Sequence, residues 1–157
     1  MLSGARHLQN IHPLIVHFPI AFLIAAALFY FMAWVFNKDD FARTGFRVLL
    51  LGALSLAVAV WTGLRAEDGV MVALDVRQKL LLPHEQFMIA TAVLCAIVTL
   101  WAIVGRPFPK KGRVLFLALL LAMVITMTIG ADFGGQLVYD YNAGGSLPQP
   151  IHFKIVQ

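Results

Sequence analysis

The sequence predicts an all-α integral membrane protein, a four-helix bundle running up-down-up-down with short cytoplasmic loops and both termini outside. Three observations carry this. The 157 residues are 61% hydrophobic and 13% charged, roughly half the charged fraction of an ordinary soluble domain. The apolar residues gather in four runs, each near the roughly 20 residues that cross ~30 Å of hydrocarbon. The cations concentrate in the connection after the first run and in the one after the third. Four spans leave little chain over, so residues 1–157 read as a single domain.

The spans fall at about 13–36, 48–64, 83–105 and 114–133. Pro13 and Pro83 suit first turns of helices, where a missing N–H removes no bond. The second span is short between Arg47 and Arg65, but both side chains can snorkel to the interface. Residues 66–82 form an outer loop whose mixed apolar spacing predicts an amphipathic turn or short helix on the leaflet. Residues 134–157, rich in Gly, Tyr, Asn and Pro, are expected to leave the fourth helix near Gly134-Gly135 and cover the bundle mouth. Both halves share the plan of outward-start helix, basic loop and return helix, without a defined internal repeat.

Orientation follows from charge. Residues 37–47 and 106–113 hold Lys38, Arg43, Arg47, Arg106, Lys110, Lys111 and Arg113, while the opposite side holds Arg6, Arg65, Arg77, Lys79 and Lys154 diluted by six carboxylates. The positive-inside rule then puts the two short loops in the cytoplasm and both termini in the periplasm of a bacterial inner membrane. The net charge of +4 is thus a topology signal. Nucleic acid is excluded as a partner, because no aromatic-interleaved basic patch exists. The first apolar run is too long for a cleavable h-region and is expected to remain as an anchor. The single cysteine, Cys95, makes no intrachain disulfide, and the lack of a C-x-x-C-H motif excludes covalent haem c attachment.

All five histidines, His7, His12, His17, His84 and His152, fall on the outer side of this topology. Imidazole binds transition metals and moves protons near neutral pH. In a continuous helix His12 and His17 lie roughly 140° apart, on different faces. His17 takes the deeper position, above Ala21, Ile24 and Leu28. His84 starts the third span above Met88, Thr91, Cys95 and Val98. Helices one and three are diagonal and begin on the same side, so His17 and His84 are expected to face each other as axial ligands of a haem b. Ala21, Met88, Gly130 and Gly134 would line its pocket, the small residues leaving room for a porphyrin. His12 and Asp132 would support the ligands, Asp132 by orienting an imidazole or by pairing with Arg65 instead. Trp61 sits at the same level, as a cofactor neighbour or as a belt aromatic. His7 and His152 are expected to be solvated. Interfacial histidines satisfied by water are the competing reading of all of them.

The opening HPLIVHFPIAF, the WTG ending the second span, the histidine of the third and the exit GGQLVYDY together resemble an uncharacterised bacterial family of four-span inner-membrane domains with an HPxxVHFPIA motif. The resemblance covers most of the chain. It carries onto His12, Pro13, His17, Phe18, Pro19, Trp61, Gly63, His84, Gly134, Gly135 and Tyr139, adding Tyr139 to the supporting residues. Asn142-Ala143-Gly144-Gly145 departs from the family's Gly-Val-type ending. Relatives joined to cytochrome c or sugar-dehydrogenase modules imply periplasmic redox company. The joint expectation is a cytochrome b-like electron-transfer subunit, not a stand-alone enzyme, serving a periplasmic cytochrome c or dehydrogenase subunit, with quinol in the membrane. Two alternatives stand beside it: a cofactor-free structural anchor of a larger redox or photosynthetic complex, and a metal- or proton-handling protein using His12, His17, His84 and Asp132. Ser55, Thr91, Thr99 and Thr126 are too scattered to form a polar path, which makes transport the weakest of these.

Overall fold

The computed structural model describes residues 11–67, 70 and 72–143; His7, His152 and the expected exit loop beyond Ala143 lie outside them. The described residues are helical, and four helices are long and apolar enough to cross a membrane: His12–Phe36, Asp39–Glu67, Leu74–Val104 and Arg113–Tyr141. Each packs on its sequence neighbours and the fourth closes against the first, so helices one and three, and two and four, lie on diagonals. This is the four-helix membrane bundle that composition predicts. Large apolar residues such as Phe18, Leu28, Leu54, Ile89, Leu100 and Leu121 remain exposed on its outside, the surface that lipid covers.

The helices outrun the apolar runs, because hydropathy marks where lipid begins and not where helix begins. The second helix starts at Asp39. Asp39 and Asp40 sit in its first turn, where carboxylates oppose the positive end of the helix dipole. Asn37 adopts a left-handed conformation (φ 51°) that ends the first helix, so the connection shrinks to a tight turn. The third helix starts at Leu74 and passes through a π turn, Arg77–Leu81. That wider turn directly precedes Pro83, whose missing N–H leaves the ladder a donor short. Val76 and Leu81 pack with Leu137 of the fourth helix, so this part of the outer loop joins the bundle. The fourth helix does not stop at Gly134-Gly135. It continues to Tyr141 and is capped by left-handed Asn142 (φ 53°), with the Ala143 N–H donating to the Leu137 carbonyl at 2.9 Å.

The core is a seam repeating in steps of four and three. It is formed by Pro19, Leu23, Ala26, Tyr30 and Ala33 of the first helix and Gly45, Leu49, Gly52, Leu56, Ala59 and Thr62 of the second. Thr91, Cys95, Val98 and Ala102 continue it on the third, and Phe116, Leu120, Met123, Met127 and Gly130 on the fourth. Large and small alternate across it. A Cβ on Gly52 would lie 2.6 Å from Leu23 Cδ2, and one on Gly45 3.2 Å from Tyr30 Cδ2. In the absence of a hydrophobic drive between helices in lipid, such close approach is what binds them. At the loop end Phe116 packs on Tyr30, Trp101 and Phe108 at ring-centre distances of 4.9, 5.8 and 5.9 Å.

The seam exposes a repeat that residue identity hides. His12, Val16, Pro19, Leu23, Ala26 and Tyr30 correspond in order and spacing to His84, Met88, Thr91, Cys95, Val98 and Ala102. Gly45, Leu49, Gly52, Leu56, Ala59 and Gly63 correspond likewise to Phe116, Leu120, Met123, Met127, Gly130 and Gly134. Two helical hairpins of one register therefore run in the same direction, the arrangement of repeats about an axis along the membrane normal. The two histidines head equivalent seams.

Candidate functional site

The pair of imidazoles that meets is His12 and His84, not His17 and His84. Their ring centres lie 6.5 Å apart at an interplanar angle of 79°, edge to face, across the diagonal at the histidine end. The cause is register. His12 is one four-residue step before Val16 and two steps before Pro19, so it continues the buried seam. His17 is one residue past Val16, about 100° further round the axis. It is exposed, on the outward stripe with Ala21, Ile24 and Leu28. Ala21 thus faces lipid and lines no pocket. His84 does head the face expected of it.

Each ring is held by the return helix of its own hairpin. His84 Nδ1 lies 2.7 Å from the Gly130 carbonyl, which can only accept, so this nitrogen carries the proton. His12 Nδ1 lies 3.1 Å from Thr62 Oγ1. The Thr62 hydroxyl donates to the Ala59 carbonyl at 3.0 Å, which leaves its oxygen placed to accept from His12 Nδ1. For His84 this fixes the proton on Nδ1 and the lone pair on Nε2; for His12 the Thr62 contact fits the same tautomer. A backbone or hydroxyl acceptor on Nδ1 is the usual way a ligating imidazole is oriented.

Two glycines make room for these rings. A Cβ at Gly63 would lie 3.0 Å from Cε1 of His12, and one at Gly134 would lie 2.9 Å from Cε1 of His84. The Gly130–Gly134 pair accordingly admits side chains of the third helix, not a flat ligand: Met88 Cε and Phe87 Cβ fill the space at Gly130. These glycines belong to the imidazole cradle, and Met88 to the packing beneath it.

The other supporting residues stand apart. Asp132 is exposed and accepts from Gln136 Nε2 at 2.8 Å. It reaches neither a described histidine nor Arg65, because it lies off the Gly130–Gly134 seam. Trp61 is exposed with the Arg65 guanidinium 4.9 Å above its ring, a belt aromatic under a cation. Tyr139 is 87% exposed. Thr62, Gly63 and the Gly130 carbonyl take the roles that the sequence reading gave to Asp132 and Tyr139. A cleft of about 270 Å³, lined by Ile11, His12, Trp61, Thr62, Arg65 and Ala66, opens beside His12. Nearby, Arg77 pairs with Glu67 at 2.6 Å and joins the second helix to the third.

Among the described residues no group of three or more His, Cys, Asp or Glu side chains is placed to hold a metal ion. Ser55, Thr91 and Thr126 turn their hydroxyls back onto carbonyls of their own helices, at Gly52, Phe87 and Met123.

Fold and site together define a four-span membrane protein built from two like-directed hairpins, with one imidazole from each meeting at one end. Residues 8–146 match the family described as "Predicted membrane protein (DUF2231)", and the chain belongs to it. No curated protein and no solved structure matches the chain.

Proposed function

We propose that this protein is a cytochrome b-like electron-transfer subunit that holds a haem b between His12 and His84. The carrying observation is the meeting of two Nδ1-anchored imidazoles across the bundle. The donor set fits this group better than a bare ion. Haem iron asks only two axial ligands of the protein, whereas a bare zinc ion asks three or four. The cleft beside His12 is lined by Trp61 and Arg65. Haem, when bound, supplies a one-electron couple, and two imidazoles leave it no open coordination position. The chain's part is then to orient two ligands and exclude water, not to transform a substrate.

With the cationic loop end in the cytoplasm, the histidine end faces the periplasm of a bacterial inner membrane. The redox partner on that side is a cytochrome c or dehydrogenase subunit, and quinol meets the protein from the bilayer. A reduced-minus-oxidised spectrum of the purified protein is expected to show a bis-imidazole haem that His12→Ala and His84→Ala abolish and His17→Ala leaves intact. A signal that survives in both His12→Ala and His84→Ala rejects the ligand pair. A colourless protein that stays folded after supply of haem leaves the cofactor-free anchor as the better reading. For topology, a reporter fused after Gln157 is expected to be active only when exported.

A further inference from the structure

We propose that a cleft at the loop end, opposite the histidines, binds the phosphodiester headgroup of an anionic phospholipid. It rests on residues that play no part in the imidazole pair. An open cleft of about 350 Å³ is lined by Arg43, Phe46, Arg47, Arg106 and Pro107. Its far wall is fixed. Phe108, two residues after Arg106, is buried against Tyr30 at a ring-centre distance of 5.3 Å, which ties the second connection to the bundle. Arg106 then extends over the Phe46 ring, 5.4 Å from its centre, while its Nε donates to the Ile103 carbonyl at 3.0 Å. Arg43 and Arg47 stand one helical turn apart on the facing helix.

Three guanidinium groups around one cavity repel one another. Only Arg43 has a carboxylate partner, Asp40 at 2.7 Å; Arg47 and Arg106 form no ion pair among the described residues. An anion in the cleft relieves that repulsion, and the guanidinium fork matches two phosphate oxygens. The surroundings favour a lipid over a free anion. Leu50, Leu51 and Leu54 follow Arg47 on the exposed face of the second helix, and Ile103 and Val104 precede Arg106. Charge at headgroup depth thus passes directly into apolar surface for acyl chains, as in basic inter-helix sites for anionic lipid.

The test uses the full chain in nanodiscs of equal phosphatidylcholine and phosphatidylglycerol, with co-retained lipid counted by native mass spectrometry after gentle detergent release. The expected result is preferential retention of phosphatidylglycerol, reduced about 10-fold in Arg47→Gln/Arg106→Gln. Lys110→Gln/Lys111→Gln, with the same change of charge, is expected to retain it like the parent. Size-exclusion elution and melting of each variant verify folding independently. The proposal is overturned by equal retention of phosphatidylcholine, by equal loss in the lysine variant, by unchanged retention without the two arginines, or by displacement with millimolar glycerol phosphate.

Discussion

The His84 imidazole occupies the volume that a side chain at Gly134 would need. A Cβ there would lie 2.9 Å from Cε1 and 3.0 Å from Nδ1 of the ring. The next residue, Gly135, has nothing nearer its Cβ position than Tyr139 Cδ2 at 4.0 Å. Adjacent glycines in one helix therefore predict opposite outcomes. Ala in place of Gly gains about 1 kcal/mol of helix propensity, while overpacking costs about 1–3 kcal/mol. Gly135→Ala is expected to raise the melting temperature in detergent, and Gly134→Ala to lower it. Equal shifts in the two variants would remove the cradle from the account.

Gly52 leaves room for Leu23 in the first hairpin, with Leu23 fully buried and its Cδ2 2.6 Å from the Cβ position of Gly52. Gly52→Ala is expected to destabilise by about 1–3 kcal/mol and Leu23→Ala by about 2–5 kcal/mol. The double variant is expected to cost less than the sum by at least about 1 kcal/mol, since each change relieves the other. Additive losses in equilibrium unfolding would mean the two helices do not approach at this point.

Composition and hydropathy were enough to read the four spans and their order, because lipid demands long apolar runs whatever the packing. The same demand hid the faces. With apolar residues all around each helix, nothing in hydrophobicity distinguishes the stripe of Leu23, Ala26 and Tyr30 from that of Ala21, Ile24 and Leu28. Depth along the helix alone therefore favours His17. The signal that separates His12 from His17 is the step pattern: the four-and-three spacing that runs down from His84 through Met88, Thr91 and Cys95 also runs down from His12 through Val16, Pro19 and Leu23. Gly63 and Gly134, each on a return helix beside one of these histidines, mark the same equivalence. The extension of the fourth helix to Tyr141 was not legible, because Gly134-Gly135 reads locally as a break. It is helical because the space at Gly134 is needed by a ring from another helix.

With its own proton given to Ala59, Thr62 is placed to accept from Nδ1 of His12. Thr62→Val keeps the shape and removes the acceptor, at an expected cost of about 1 kcal/mol; Thr62→Ser is expected to restore most of it. Nitrogen-15 spectra of labelled histidine give a more direct readout. Both His12 and His84 are expected to show a protonated Nδ1 in the parent protein, and only His12 to become a tautomer mixture in Thr62→Val. A parent His12 protonated on Nε2 would reverse the donation scheme and with it the orientation argued for metal ligation.

Tyr30 offers a test of the core itself. Its side chain is fully buried, and its hydroxyl has no hydrogen-bond partner among the described residues. The ring is held by Phe116 at 4.9 Å and Phe108 at 5.3 Å between centres, contacts that a phenylalanine retains. A buried hydroxyl without a partner costs about 1–3 kcal/mol, and removing it leaves a gap of only one oxygen. Tyr30→Phe is therefore expected to leave unfolding unchanged or to stabilise it by up to about 1 kcal/mol, offset in part by lost contacts around the vacated atom. A loss greater than about 1 kcal/mol in denaturant titration would show that the hydroxyl is bonded, by an ordered water or a lipid group. That outcome would turn the aromatic cluster from a packing device into a polar site at the loop end.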